Sequence, residues 1–178
     1  MTRTNLFGCL ICSTLLIGSV QAADFQPGFY AVGSAGQTTF VSSTNTSSSL
    51  ASNSYMFSLG YEITPSIAIE GGYGNLFTYN YIYSSSSYVK DSLDAFMVSA
   101  VYKPFPGKIT PLLSVGTLSG SETYSSSYYG TGSYSYSNTT YGLGLEVPLD
   151  ERSAFRLNYT GISSSKTNVV FAGILFRF

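Results

Sequence analysis

Apolar and polar residues alternate along much of the chain. Between residues 54 and 63, aromatic and branched residues occupy every second position, while serine, glycine and glutamate stand among the positions between them. Alternation with a period of two is typical of β-strands that have one apolar face. The pattern predicts eight strands, four regular ones at 54–63, 67–77, 141–147 and 155–159, and four less regular ones at 29–40, 93–102, 109–119 and 168–178. Val32, Met97 and Leu112 interrupt the alternation of the first, fourth and fifth strands, so their register is not settled.

The polar face of these strands carries glycines and a few charges rather than a dense solvated surface. A soluble sandwich would bury the aromatic face and present polar residues to water. In a membrane barrel the apolar face meets lipid and the polar face fills a lumen, which in eight strands is only wide enough for side chains. Lipid also forbids an unpaired sheet edge, so the sheet must close. We therefore expect an eight-stranded antiparallel up-and-down transmembrane β-barrel rather than a secreted sandwich.

The predicted connections alternate in length. Three short ones contain proline, at 64–66, 103–108 and 148–153, and longer polar ones are expected at 40–53, 78–92 and 120–138, with a shorter one at 161–167. Short periplasmic turns and longer outside loops are the pattern of membrane barrels. Both termini then lie on the periplasmic side. A turn centred near residue 151 places Glu146 opposite Arg156, both pointing inward.

The N-terminal segment has the features of a signal peptide. Arg3 precedes an apolar stretch over 6–20, and Val20-Gln21-Ala22 supplies small residues at a cleavage site. Both cysteines, Cys9 and Cys12, lie inside this segment. We expect residues 1–22 to be removed on export and residues 23–178 to form the barrel domain.

Composition narrows the functional classes. The 178 residues include 8 Lys and Arg, 9 Asp and Glu and no His, and the formal net charge is −1. This balance provides no basic surface for nucleic acid. Without histidine, sites that depend on this residue, including metal sites and catalytic triads, are excluded. We expect no cofactor and no catalytic residues.

Four segments resemble the OmpA/OmpX-like family of small outer-membrane barrels: Ile69 to Tyr73, Gly142 to Glu146, Phe155 to Tyr159, and the C-terminal run from Ala172 to Phe178. Gly173, Phe176 and Phe178 are similar to the terminal signal that the barrel-assembly machinery reads in that family. Phe171 departs from the signal, which usually has a polar residue there. The resemblance implies a monomer in the outer membrane of a Gram-negative cell, in contact with lipid. It implies little about activity, because the fold has several functions.

Charged residues on the inward face are the first candidates for function. They are Glu62, Glu70, Glu146, Arg156 and Arg177, with Lys103 near the periplasmic rim. One interpretation is an ion or proton path; the other is an internal network of ion pairs, since ionisable groups at membrane depth usually pair. We favour the network because eight strands leave little interior space. No activated nucleophile accompanies these charges, and an enzyme is not expected.

Tyrosines in the outside loops are the second candidates. Tyr124, Tyr128, Tyr129, Tyr134 and Tyr136 lie among Ser and Gly in 120–138. Such a composition suits adaptable protein-binding loops, as in the adhesion proteins that the fold resembles, but it also suits uncharged loops that simply remain soluble. The sequence therefore predicts a structural or surface-interaction protein whose loops contact host or cell-surface molecules. The alternative is a narrow, porin-like channel for ions or small solutes.

Overall fold

Eight antiparallel strands form a closed barrel in the computed structural model, which describes residues 26–40, 50–84, 87–127, 130–163 and 167–178. Each strand pairs with the next along the chain, and β8 pairs with β1. The strands are β1 Gly28–Phe40, β2 Leu50–Thr64, β3 Ile67–Ser84, β4 Ser87–Tyr102, β5 Thr110–Ser126, β6 Gly130–Pro148, β7 Ser153–Ile162 and β8 Thr167–Arg177. The predicted fold class is confirmed. The predicted signal peptide, 1–22, lies outside the described residues.

The outside of the barrel is apolar over a continuous belt. Phe57 is 56% exposed, Leu145 45% and Phe176 55%, although all three are large apolar side chains. On β2 the belt runs from Tyr55 to Ile63, close to the roughly 9–11 residues with which a tilted strand crosses a bilayer. A continuous belt of exposed aromatic and branched residues around a closed barrel is typical of a surface in contact with lipid. Among the described residues, no helix is long and apolar enough to cross a membrane.

Short turns and both described termini share one end of the barrel, called here the terminal end. Two residues, Pro65 and Ser66, join β2 to β3. Between β6 and β7, the carboxylate of Asp150 accepts hydrogen bonds from the backbone N–H groups of Arg152 and Ser153 at 2.8 and 2.7 Å. This turn fixes the predicted register, because Glu146 pairs directly with Arg156. That prediction is confirmed.

The opposite end, called here the loop end, differs from the prediction. Much of the predicted loops 78–92 and 120–138 is strand, since β3 continues to Ser84 and β6 begins at Gly130. Tyr, Thr and Ser continue the pairing because an extended backbone suits tyrosine and threonine and neighbouring strands supply the hydrogen bonds. These extensions form a sheet, called here the loop-end sheet, from β3 76–84, β4 87–94, β5 119–126 and β6 130–139.

Candidate functional site

Six charged side chains meet inside the barrel near the terminal end. Five lie on the inner faces of different strands, and one follows β4 directly. They form the charge network: Glu62, Glu70, Lys103, Glu146, Arg156 and Arg177. The five residues predicted to face the lumen are all present, and Lys103, placed by the sequence at the rim, joins them.

Glu146 is the centre of the network. Its carboxylate accepts a hydrogen bond from Arg156 Nη2 at 2.8 Å and another from Arg177 Nη2, and Lys103 Nζ lies 3.6 Å away. Glu146 and Arg156 are each only 2% exposed. A buried charge is costly unless it is paired and hydrogen-bonded. Three cations compensate the charge of Glu146, and two carboxylates, Glu70 and Glu146, compensate that of Arg156.

Tyr30 links the network to the wall of the barrel. Its hydroxyl donates to Glu70 Oε1 at 2.6 Å, and Arg156 also donates to this oxygen. The Arg156 guanidinium lies 5.4 Å from the centre of the Tyr30 ring, within the range of a cation–π contact. Gly60 makes room for the ring, because a Cβ at that position would lie 2.2 Å from a ring carbon.

Glu62 completes the network at its outermost edge. Lys103 Nζ lies 2.5 Å from Glu62 Oε1, and Arg177 Nη2 lies 3.6 Å from the same oxygen. Three carboxylates therefore face three cations, and each carboxylate contacts at least one of them. Such mutual neutralisation is what a structural ion-pair network requires.

An apolar layer separates the charge network from the loop end. Its buried residues come from six strands: Met56, Leu76, Phe77, Leu93, Ala95, Leu118, Ile162, Val169 and Phe171. The sequence did not predict this layer, because glycines and charges dominate the inward face of the regular strands. The available signal was the interrupted alternation. Met97 packs against this layer, whereas Val32 and Leu112 point inward in a second buried apolar cluster.

Phe171 belongs to this layer and is only 5% exposed. Its packing inside the barrel explains why this position holds an apolar residue, although the terminal signal usually has a polar residue there. Of the three residues expected to form the terminal signal, Gly173 faces inward against the backbone of Gly33, while Phe176 and Phe178 are exposed.

Three of the five tyrosines singled out in 120–138 lie on strands rather than in a loop. Tyr124, Tyr134 and Tyr136 project from the loop-end sheet on the same face, Tyr136 packs against the apolar layer, and the rings of Tyr124 and Tyr134 lie 6.5 Å apart. Tyr128 and Tyr129 lie outside the described residues.

One edge of the loop-end sheet, formed by β6, is unpaired in the described residues, which the sequence did not predict. Pairing of β6 with β7 ends at Thr140 and Ile162, so no described strand pairs with 130–139 on that side. The Ser163 N–H donates to the Thr139 carbonyl at 3.0 Å. Because backbone groups alternate in direction along a strand, every second residue before Thr139 directs its N–H and C=O toward this open side: Thr131, Ser133, Ser135 and Ser137.

Two carboxylates lie on the inner face of the loop-end sheet, beyond the apolar belt. Asp91 pairs with Tyr124, and Glu122 pairs with both Leu93 and Tyr134. Burial, followed by the nearby negative charge of Glu122, raises the pKa of Asp91 to about 6. A hydrogen bond to Glu122 raises the pKa of the Tyr134 hydroxyl above its usual value.

Residues 9–178 match the family model of the outer membrane protein beta-barrel domain. A search of curated protein sequences gave no significant match.

Solved structures with a similar fold include three small barrels. Ail of Yersinia pestis, in complex with the heparin analogue sucrose octasulfate, is 15% identical, with 85% of this chain and 98% of that chain covered and a TM-score of 0.62. The N-terminal barrel of Pseudomonas aeruginosa OprF is 16% identical, with 86% and 100% covered and a TM-score of 0.63. Neisserial surface protein A is 17% identical, with 86% and 100% covered and a TM-score of 0.61. At these identities the likeness concerns the fold.

Proposed function

Since the chain belongs to the outer membrane protein beta-barrel domain family, we propose that it is a surface-interaction protein whose loop end contacts another cell or a host molecule. Long connections of such barrels face outward from the cell, so the loop-end sheet is the part that meets a partner. The observation that carries the proposal is the open edge of β6 over residues 130–139.

The chemistry of this edge favours a partner that adds a strand. An exposed edge offers unpaired N–H and C=O groups as a template for another chain, and proteins usually block it with charge or proline. Residues 130–139 contain neither. The partner is then an extended polypeptide segment that pairs with Thr131, Ser133, Ser135 and Ser137, as in strand addition.

Tyrosines beside the edge add contact area. Tyr134 and Tyr136 alternate with the edge serines and point to the inner face of the sheet, and Tyr134 is 49% exposed. Tyrosine supplies a large, rigid contact at modest entropic cost. The described charged residues of the sheet are one lysine and three carboxylates, Lys90, Asp91, Asp94 and Glu122, a balance that does not favour a polyanion. A polypeptide is therefore the preferred class of partner.

A proline substitution tests this proposal. Ser135→Pro removes an N–H on the open side, where proline is tolerated because no described strand is bonded there, whereas Ser135→Ala keeps the backbone groups. Cells that display the protein should adhere to immobilised matrix proteins or to host cells. Ser135→Pro should reduce this adhesion at least 10-fold, and Ser135→Ala should leave it unchanged. Equal adhesion by both variants would contradict strand addition.

A shortened hairpin tests the wider proposal. In the structure Ser121 pairs with Ser135, so residues 122–134 can be replaced by Asn-Gly, a two-residue turn suited to a tight hairpin. The variant should still insert as a barrel and should lose adhesion. Unchanged adhesion would rule out this end of β5 and β6 as the contact surface.

The alternative function, a narrow channel, has less support. Both the charge network and the apolar layer fill the interior, and neither offers a continuous polar path in the described residues. We propose that the network is structural. We further propose that residues 1–22 direct export and that Gly173, Phe176 and Phe178 form the signal read by the assembly machinery, which inserts a monomer.

A further inference from the structure

A small cavity lies at the loop end, above the apolar layer. Its volume is about 190 Å³. Four apolar side chains, all members of that layer, form its floor and walls, and three polar residues complete it. The lining residues are Leu76, Phe77, Leu93, Ile162, Glu122, Tyr136 and Thr167. This mouth cavity is separate from the charge network, and it shares Tyr136 with the proposed adhesion surface.

The mouth cavity has a volume suited to a single aromatic ring. An engineered cavity of about 150 Å³ lined by Leu, Ile and Phe in another protein stays dry and binds benzene. The walls here have the same chemical character, but one carboxylate, Glu122, stands among them. A ligand that matches both features has an apolar body and one cationic group.

Charges around the mouth cavity support a cation. Asp91 lies diagonally across the strand pair from Glu122, on the same face, a spacing at which side chains interact. The titratable groups on this face of β4, β5 and β6 are Asp91, Glu122, Tyr124, Tyr134 and Tyr136, and none is cationic. Lys90, the next residue to Asp91, is exposed on the other face. Two carboxylates thus share this face with no described cation.

We propose that the mouth cavity binds a small organic ammonium ion. Its apolar body lies among Leu76, Leu93 and Ile162, and its ammonium group lies at Glu122. The Tyr136 ring at the cavity wall offers a π-face to the same charge, as aromatic rings do for organic ammonium ions. A ring of this size with a two-carbon amine, phenethylammonium, represents the ligand class.

The experiment titrates the full protein in maltoside micelles, because choline detergents carry an ammonium group that would compete. Methyl NMR follows Leu93 and Ile162 as phenethylammonium, neutral 2-phenylethanol or anionic phenylacetate is added. Phenethylammonium should bind at least 10-fold more tightly than either analogue. Equal affinities, or shifts that appear at the lipid-facing Leu145 instead, would overturn the proposal.

Different variants test the contribution of the Glu122 charge and that of the cavity space. Glu122→Gln should weaken the binding of phenethylammonium at least 10-fold and leave the binding of 2-phenylethanol unchanged. Leu93→Phe, which fills the cavity, should weaken the binding of both compounds. Glu151→Gln, in an exposed turn at the terminal end, is the matched charge control and should have no effect. If Leu93→Phe does not fold, Ile162→Phe fills the same cavity from β7. Binding that survives Glu122→Gln would contradict the assigned site.

Discussion

Glu146 shows how much one residue depends on its surroundings. It is almost completely buried, yet it contacts Lys103, Arg156 and Arg177. The same side chain without these cations would be an uncompensated charge in the interior. The contacts with these cations, rather than the residue type, therefore make glutamate acceptable at this position.

Replacement of Glu146 by glutamine should destabilise the barrel. Three cations would then face two carboxylates, and loss of one partner from a buried pair typically costs about 3–5 kcal/mol. Urea unfolding of the protein in lipid vesicles would measure the change in free energy. Glu151→Gln, exposed in the β6–β7 turn, should change the stability by less than about 0.5 kcal/mol. Equal stability of the two variants would show that the network contributes nothing.

Asp91 should titrate near pH 6. Burial and the charge of Glu122 raise its pKa to about 6, so the folded protein binds this proton more tightly than the unfolded chain. The contribution of Asp91 to stability is consequently most favourable below about pH 4 and is lost as the pH rises toward and through about 6. Carboxyl NMR would measure the midpoint, and Glu122→Gln should lower it. A midpoint near 4 in the unmodified protein would contradict the described environment.

At the scale of elements, the terminal ends of the strands could be predicted well and the loop ends could not. Proline and tight turns punctuate the sequence at 64–66 and 148–153, and these turns fix which residues pair, as for Glu146 and Arg156. At the loop end, Tyr, Ser and Gly are common to loops and to solvated strands. Residues 130–139 are extended because they pair with a neighbouring strand, and this pairing cannot be predicted from the composition of the segment.

Strands β1 and β2 illustrate a contact that alternation alone does not predict. Tyr30 and Gly60 are direct partners, and the tyrosine ring occupies the space that any larger side chain at 60 would need. The sequence places Gly60 on the polar, inward face, and the structure identifies Tyr30 as the group that this glycine accommodates.

Gly60→Ala should therefore destabilise the barrel by about 1–3 kcal/mol, the usual cost of overpacking. Gly33→Ala is the matched control, because a Cβ there meets no atom within 4 Å and faces the outside. Vesicle unfolding by urea would compare the two. A larger loss for Gly33→Ala than for Gly60→Ala would mean that the inner and outer faces had been exchanged.

For the whole molecule, closure of the sheet decides what meets in the interior. Glu70, Glu146 and Arg177 lie far apart in the sequence, and only a closed barrel brings them to one charge network. Five of its six members could be predicted from the sequence, because they share the inward face. It could not identify the pairs beyond Glu146 and Arg156, because those depend on the stagger of non-neighbouring strands.

Because the interior is filled, we expect the protein not to conduct ions in planar bilayers. The apolar layer closes the described lumen above the charge network, and an eight-stranded interior has room only for side chains. Purified protein should show no discrete conductance steps, and neither Glu146→Gln nor Arg156→Ala should create a regular open state. Steps whose size changes with Arg156→Ala would restore the channel as the better function.

The orientation of the two strand faces supports every conclusion above, and spin labels measure it directly. Single cysteines replace Phe57, Leu145 or Ser58 in a chain whose native Cys9 and Cys12 are serine, and each is labelled in lipid vesicles. Labels at 57 and 145 should collide readily with oxygen dissolved in lipid, and the label at 58, which faces inward, should be shielded from both oxygen and a water-soluble nickel complex. Oxygen access at 58 together with shielding at 57 and 145 would contradict the account.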